Sequence, residues 1–271
     1  MTSSIRRPAV AGRFYPQNPE TLTADIQSYL SSTAGAAPAI GCVVPHAGYM
    51  FSGHVAGAVF ARISVPGCSI LMCPNHTGVG HPLSIMSQGA WQTPLGATAI
   101  NSEIAETLKQ HFPLLTEDPT AHRAEHAAEV ELPFLQVRHP HSSFVPIALG
   151  TAYFEPLEAL GHAIAEVVRA QSEPVLVVAS SDMNHYESDP VTRIKDHKAI
   201  EPILRLDARG LYDTVMNEDI SMCGFGPTVA MITAARDLRA TRAELVRYAT
   251  SGDVSGDRHM VVGYAGIVVT G

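Results

Sequence analysis

The chain has 271 residues, 46% of them apolar, and a formal net charge of −8, which fits one α/β domain over residues 1–271 with a sizeable core. An acidic balance without a run of Lys and Arg excludes a surface that tracks nucleic-acid phosphates. No stretch approaches the ~20 apolar residues of a membrane span, and the opening MTSSIRRPAVAGRFYP has no apolar core of a secretory signal behind its arginines, so a soluble cytoplasmic protein is expected, with no nucleic-acid or membrane partner and its oligomeric state left open.

In chain order, a first helix is expected over 19–31, followed by the small-residue loop SSTAGAAP at 31–38. The strand AIGCVV (39–44) breaks at Pro45, which cannot donate to a ladder. It then presents His46 and leads to a helix over 53–62. The strand SILMC (69–73) repeats that layout with Pro74, Asn75, His76 and Gly78. A short strand at 83–86 follows. Asn101 opens a capped helix over 102–111, and another helix is read over 122–135. After the strand SFVPIAL (143–149), apolar residues at Leu157, Leu160, Ile164, Val167 and Val168 mark a helix over 155–170. The strand PVLVVAS (174–180) runs into SSDMNHY. Helices over 190–204, 208–216 and 226–238 and strands over 243–250 and 261–269 complete the chain. The alternation implies a mostly parallel sheet covered by helices on both faces. The last two strands look antiparallel, which makes the sheet mixed.

The four cysteines, Cys42, Cys68, Cys73 and Cys223, form no CxxC pair, which reads as reduced thiols rather than a disulfide framework. Three sit in apolar contexts. Cys223 sits in the glycine turn MCGFGP (222–227) before a helix, where a helix N-terminus lowers a thiol pKa. It reads as a small turn residue, a metal thiolate or a nucleophile. His46, His76 and the SSDMNHY segment each follow a strand directly, and ligands in open α/β sheets bind beyond the carboxyl ends of strands. Either histidine alone could be a ring satisfied by backbone at a strand end. Asp182 could be an N-cap, or it could orient His185 as a proton carrier. In AHRAEHAAEVELPF (121–134), His122 and His126, and Glu125 and Glu129, stand four apart. That spacing can chelate, but the segment reads first as a solvated helix face. His81 and the HPH at 139–141 read as loop residues. Together, His46, His76 and Cys223 make a three-donor set that leaves coordination positions open, the pattern of a catalytic metal site.

The blocks RRPAVAGRFYP (6–16), PHAGYMFSG, PNHTG, EHAAEVELPF, SSDMNHY and SGDVSGDRHMVVGYAGI (251–267) occur in that order along nearly the whole chain. In these the sequence resembles the Memo family, in particular its bacterial and archaeal branch. The resemblance implies a fold like that of class III extradiol dioxygenases, which hold non-haem Fe(II) with two histidines and a glutamate and use a further histidine as acid and base. By motif, His46 and His76 match the histidine ligands and His185 the acid/base residue. Cys223 stands where the dioxygenases carry their carboxylate. A thiolate is softer, admits Cu or Zn beside Fe(II), and is itself oxidisable. The resemblance therefore implies a metal-dependent redox protein, not aromatic ring cleavage. Two other readings stand beside it. One is a binding, scaffold or metal-handling protein with a small-molecule or peptide ligand in its cleft. The other is a hydrolase using Zn or a Cys223–His185 pair.

Overall fold

The computed structural model describes residues 5–30 and 35–271; the first half of the expected 31–38 loop and the last residue of the expected first helix lie outside them. The first half of the chain runs β1 (Ile5–Arg6), α1 (Pro19–Tyr29), β2 (Gly41–Val44), α2 (Tyr49–Arg62), β3 (Cys68–Pro74), β4 (Leu83–Ile85), β5 (Ala90–Thr93), β6 (Gly96–Ala99), α3 (Ser102–His111), β7 (Thr116–Glu117), α4 (Pro119–His122), a 3-10 turn at Glu129–Glu131 and α5 (Leu132–Arg138). The second half runs β8 (Ser143–Leu149), α6 (Phe154–Arg169), β9 (Val175–Ser180), β10 (His185–Glu187), α7 (Asp189–Leu204), α8 (Ala208–Asn217), α9 (Phe225–Asp237), β11 (Arg242–Thr250), α10 (Gly252–Ser255) and β12 (Val261–Thr270).

The main sheet has the order β10-β12-β2-β9-β3-β8-β4-β7, with β11 paired to β12. Its centre, β2-β9-β3-β8, is parallel, whereas β12 runs antiparallel to β2 and β4 to β8. The sheet is therefore mixed, as the pattern of runs implies. Its central strands are apolar on both faces because side chains alternate with period two. Val43, Ile70, Met72, Val145 and Val177 pack on one side with Ile104, Leu157, Leu160 and Ile232 of α3, α6 and α9. Cys42, Val44, Leu71, Cys73 and Val178 pack on the other with Leu22, Ile26, Phe60 and Phe134 of α1, α2 and α5. Asn18 and Asn101 start α1 and α3 by accepting from the amides of Thr21 and Ile104 at 2.9 and 3.1 Å. Cys42, Cys68 and Cys73 are buried free thiols. No helix among the described residues is long and apolar enough to cross a membrane.

A single helix over 122–135 does not form. The segment breaks into α4, an irregular stretch, the 3-10 turn and α5, whose first turn holds Pro133. Nor is it a solvated face: His122, Glu125, Glu129 and Glu131 are all 0% exposed. Their partners come from elsewhere in the chain. The Glu129 carboxylate accepts from the Arg6 guanidinium at 2.6 Å, from the amides of Ala9 and Val10 at 2.7 and 3.0 Å, and from the Tyr15 hydroxyl at 2.6 Å. It thereby ties residues 6–15 across the segment.

His122 packs edge-on against Trp91, with ring centroids 5.7 Å apart, and neither ring nitrogen has a hydrogen-bond partner. Burial, then the Arg6 charge, lowers its pKa to about 4. The unfolded ring takes up its proton near its ordinary value, so over the intervening pH the unfolded state binds more protons. Stability from this group is complete above about pH 6.5 and falls with pH, by about 3 kcal/mol at pH 4. Replacing it, as in His122→Leu, removes that loss. Denaturant melts at pH 7 and pH 4 will show the stability gap between wild type and variant moving by about 3 kcal/mol in the variant's favour; a pH-independent gap rules this out.

Candidate metal centre

Because β2, β9 and β3 are adjacent and parallel, the loops after them leave the sheet at one edge. His46 lies two residues beyond β2, His76 two beyond β3, and Asp182 two beyond β9. These loops and the turn before α9 enclose a cavity of about 590 Å³, lined by His46, His76, His126, Asp182, His185 and Cys223 among others. Gly224 lets that turn approach, because a Cβ there would overlap the Ser180 carbonyl and the Ser181 side chain. The Gly224 amide donates to Ser181 Oγ at 3.0 Å.

His46 is 2% exposed, and its ring is fixed by Ser180, whose Oγ lies 2.8 Å from Nδ1. The same Oγ lies 2.7 Å from the Ala127 carbonyl. A carbonyl only accepts, so the Ser180 proton points there and the hydroxyl oxygen accepts from His46 Nδ1–H. The Nε2 lone pair is thus directed toward Cys223 Sγ, 3.2 Å away. Burial, then the neighbouring rings of His76, His126 and His185, pushes the His46 pKa well down. A neutral imidazole with its second nitrogen anchored is the form that binds a metal.

His76 is held in the same way by a carboxylate. Glu125 Oε1 lies 3.0 Å from His76 Nδ1, and its Oε2 accepts from the His76 amide at 2.6 Å. An ionised carboxylate has no proton to give, so Nδ1 carries one and Nε2 is the free donor. Burial alone would raise the Glu125 pKa. The His76 ring and the Ala127 amide outweigh it and hold it low, and in return Glu125 raises His76 against the effect of burial. His126 Nδ1 approaches the same Oε1 at 3.4 Å, and its ring stacks on His76 with centroids 4.9 Å apart and planes 22° from parallel. Its other neighbours are Phe14 and His46.

The donor atoms of His46, His76 and Cys223 all lie within 4.8 Å of one another. Two donors on one tetrahedral ion at about 2.0–2.3 Å sit about 3.3–3.6 Å apart, close to the 3.2 Å between Cys223 Sγ and His46 Nε2. The Cys223–His46 pair therefore has the spacing that one soft or borderline cation requires, and a His76 donor lies within 4.8 Å of both. A second group, His76, Glu125 and His126, meets the same 4.8 Å bound, but the Glu125 carboxylate is already taken by its hydrogen bonds to His76, with the His126 ring beside it at 3.4 Å. The Cys223 pKa is not lowered. Burial first, and then the nearby Asp182, push the thiol up, and this outweighs its position before α9. Its S–H faces His46 Nε2, and a bound ion would have to displace that proton.

Asp182 does not orient His185. Its Oδ1 accepts from the His46 amide at 2.8 Å, and Ala47 donates to it as well. Asp182 thus holds the loop that carries a candidate ligand, and burial raises its pKa to about 7. His185 is oriented by the Ser221 carbonyl, 2.8 Å from Nδ1, and its own amide donates to Ser221 Oγ. It lies on β10, not on a helical turn. A bulge there puts Tyr186 at φ +60°, a strained conformation that aims neighbouring side chains. Burial lowers the His185 pKa.

Sequence spacing points to His46, His76, Asp182, His185 and Cys223, and all five line the cavity. It misses Ser180 and Ser221 as orienting groups, and it ranks Glu125 and His126 behind a solvated face, with one or two residues of that segment lining the pocket as the second reading. Nothing local marks Glu125 and His126 as interior, because His122, Glu125, His126 and Glu129 share one face of a notional helix.

A family model described as Memo-like protein matches residues 6–268. A MEMO1 family protein of Methanothermobacter thermautotrophicus is 41% identical over 273 residues, which cover 96% of this chain and 99% of that protein. One from Methanopyrus kandleri is 42% identical, covering 97% and 98%. One from Methanosarcina barkeri is 42% identical, covering 98% and 100%. The agreement runs from the Arg6 anchor through the strand-end histidines to β12, and on it this chain belongs to the Memo family.

Proposed function

We propose that this chain is a metal-dependent redox protein, with His46, His76 and Cys223 holding Fe(II), or alternatively Cu or Zn, at the base of the cavity. The observation that carries this reading is the convergence of three donors, two of them imidazoles whose other ring nitrogen is already engaged: His46 by Ser180 and His76 by Glu125, with the Cys223 sulfur beside them. Such anchoring lowers the cost of assembling a site and is characteristic of metal-binding histidines. A bound ion supplies Lewis acidity or a redox couple, and three protein donors leave it positions for a ligand.

The chain's own residues supply the rest. The cavity has the size of a small-molecule site and suits a small molecule or the end of a peptide. His185, with its Nδ1 proton directed at Ser221, offers the Nε2 lone pair of a neutral ring to a proton of the bound ligand. His126, stacked on His76, supplies a second imidazole to the same space. Asp182 keeps the His46 loop in register with β9. Phe14 lines the same cavity and packs edge-on against His126, with ring centroids 4.8 Å apart.

Anaerobic titration with Fe(II) will give one ion per chain, and oxygen uptake by the loaded protein will depend on His185 when candidate ligands are screened. Failure to bind iron, copper or zinc refutes the metal assignment. Tight binding with no turnover of any ligand redirects the assignment to metal handling.

A further inference from the structure

Glu131 stands behind the candidate metal centre and has no part in the scheme above. It closes the 3-10 turn Glu129–Glu131 and is 0% exposed. Its Oε1 lies 3.1 Å from Ser180 Oγ, the atom that receives His46 Nδ1–H. Its Oε2 has no hydrogen-bond partner. The titratable groups that face it are the Cys42 thiol, the Tyr49 phenol and the Asp182 carboxyl, none of them cationic. Burial, opposed only by the Ser180 bond and reinforced by Asp182, pushes its pKa well up, and a fully buried carboxyl that faces no cation favours its neutral form. A buried acid with one unsatisfied oxygen is costly compared with an apolar residue of the same shape. A bound cation reverses the local electrostatics that keep such a group neutral.

Ser180 has two acceptors within reach of its single proton: the Ala127 carbonyl at 2.7 Å and Glu131 Oε1 at 3.1 Å. Its oxygen accepts from His46 Nδ1–H in either orientation. We propose that Glu131 is a positioning residue of the metal centre, releasing its proton to solvent when a cation occupies the His46–His76–Cys223 group and taking the Ser180 hydroxyl proton as a hydrogen bond in its place. The resulting carboxylate balances the added charge from two hydrogen bonds away and holds the His46 tautomer. The inference rests on the proposed metal site.

The test uses Zn(II), which has no redox chemistry, with calorimetry in buffers of different ionisation enthalpy at pH 7. This measures protons released per ion bound. Wild type will release the Cys223 proton and a second one; Glu131→Gln, which keeps shape and neutrality, will bind at the same stoichiometry and release about one proton fewer. Infrared difference spectra of wild type will lose a protonated-carboxyl C=O band on Zn(II) binding, and Glu131→Gln will lack that loss. Equal proton release in the two proteins overturns the role of Glu131 and leaves the metal site standing. If the variant does not fold, persistence of the carboxyl band in Zn(II)-loaded wild type overturns it equally. Wild type that binds no Zn(II) overturns both.

Discussion

Cys223→Ala will lower Zn(II) affinity on the order of 10²-fold while leaving the metal-free protein's melting temperature within about 2 °C of wild type. Closed four-ligand zinc sites are worth about 10–16 kcal/mol, so one donor contributes about 3 kcal/mol, and each 1.4 kcal/mol is tenfold in affinity. The small effect on folding follows from what the thiol does without a metal. It faces the cavity and makes one S–H contact to His46 at 3.2 Å and a weak one to the Asp182 carbonyl at 3.7 Å. Removing it forfeits one weak hydrogen bond at the cavity wall, a loss of about 0.5–1 kcal/mol. Competition titrations with a chromophoric chelator, beside thermal melts, check both halves. Cys223→Asp will retain binding through a hard oxygen, and it will lose more affinity for Cu(I) than for Fe(II) because the thiolate is the soft donor. An alanine variant that binds like wild type removes Cys223 from the ligand set.

Glu129→Ala will cost about 3–5 kcal/mol, the range for removing one partner of a buried ion pair. For a chain of this length that is a fall in melting temperature of roughly 10 °C. Four donors converge on this carboxylate, and one is the Arg6 guanidinium, itself 7% exposed. Without Glu129, Arg6 keeps its bonds to the carbonyls of His122 and Glu125 and its place 4.2 Å from the Trp91 ring, but its charge has no counter-ion. The damage extends to the cavity, because the anchored segment carries Phe14 and the Phe14 carbonyl accepts from the Tyr49 amide at the start of α2. The double variant Arg6→Met/Glu129→Leu will recover a substantial part of the loss, since it removes the stranded charge along with the pair. Chemical denaturation of the two single variants and the double variant closes the cycle. If the double variant is as unstable as the sum of the singles, the charge is not the cause.

The elements read from periodicity alone are largely the elements observed. Runs such as SILMC and SFVPIAL are strands because every residue after the opening serine is apolar and both faces are covered, and the spacing of Leu157, Leu160 and Ile164 makes α6 because one helical stripe meets the core. The short pieces β1, β5, β6, β7 and β10 are not legible in this way. Two to four residues carry no period, and their pairing depends on partners far along the chain, as β1 on β5. The site divides along the same line. His46, His76, Asp182, His185 and Cys223 are legible because strand-end and turn positions are local properties, and parallel strands carry such positions to one edge.

The roles of these residues are not local. Asp182 serves the amide of His46 instead of His185, a choice made by a contact 136 residues away in sequence. Glu125 and Glu129 look like solvated charges by composition and are interior acceptors in fact, because His76 lies 49 residues before the first and Arg6 123 before the second. The Cys223 thiol is raised, not lowered, because enclosure by the folded chain outweighs the helix behind it. Sequence by itself determined which segments could bury themselves and which chemical groups stand at their ends, since both follow from residue type and spacing. Only the tertiary structure decided which donor meets which acceptor and which charge loses its water. Those outcomes depend on distances through space that the order of residues does not contain.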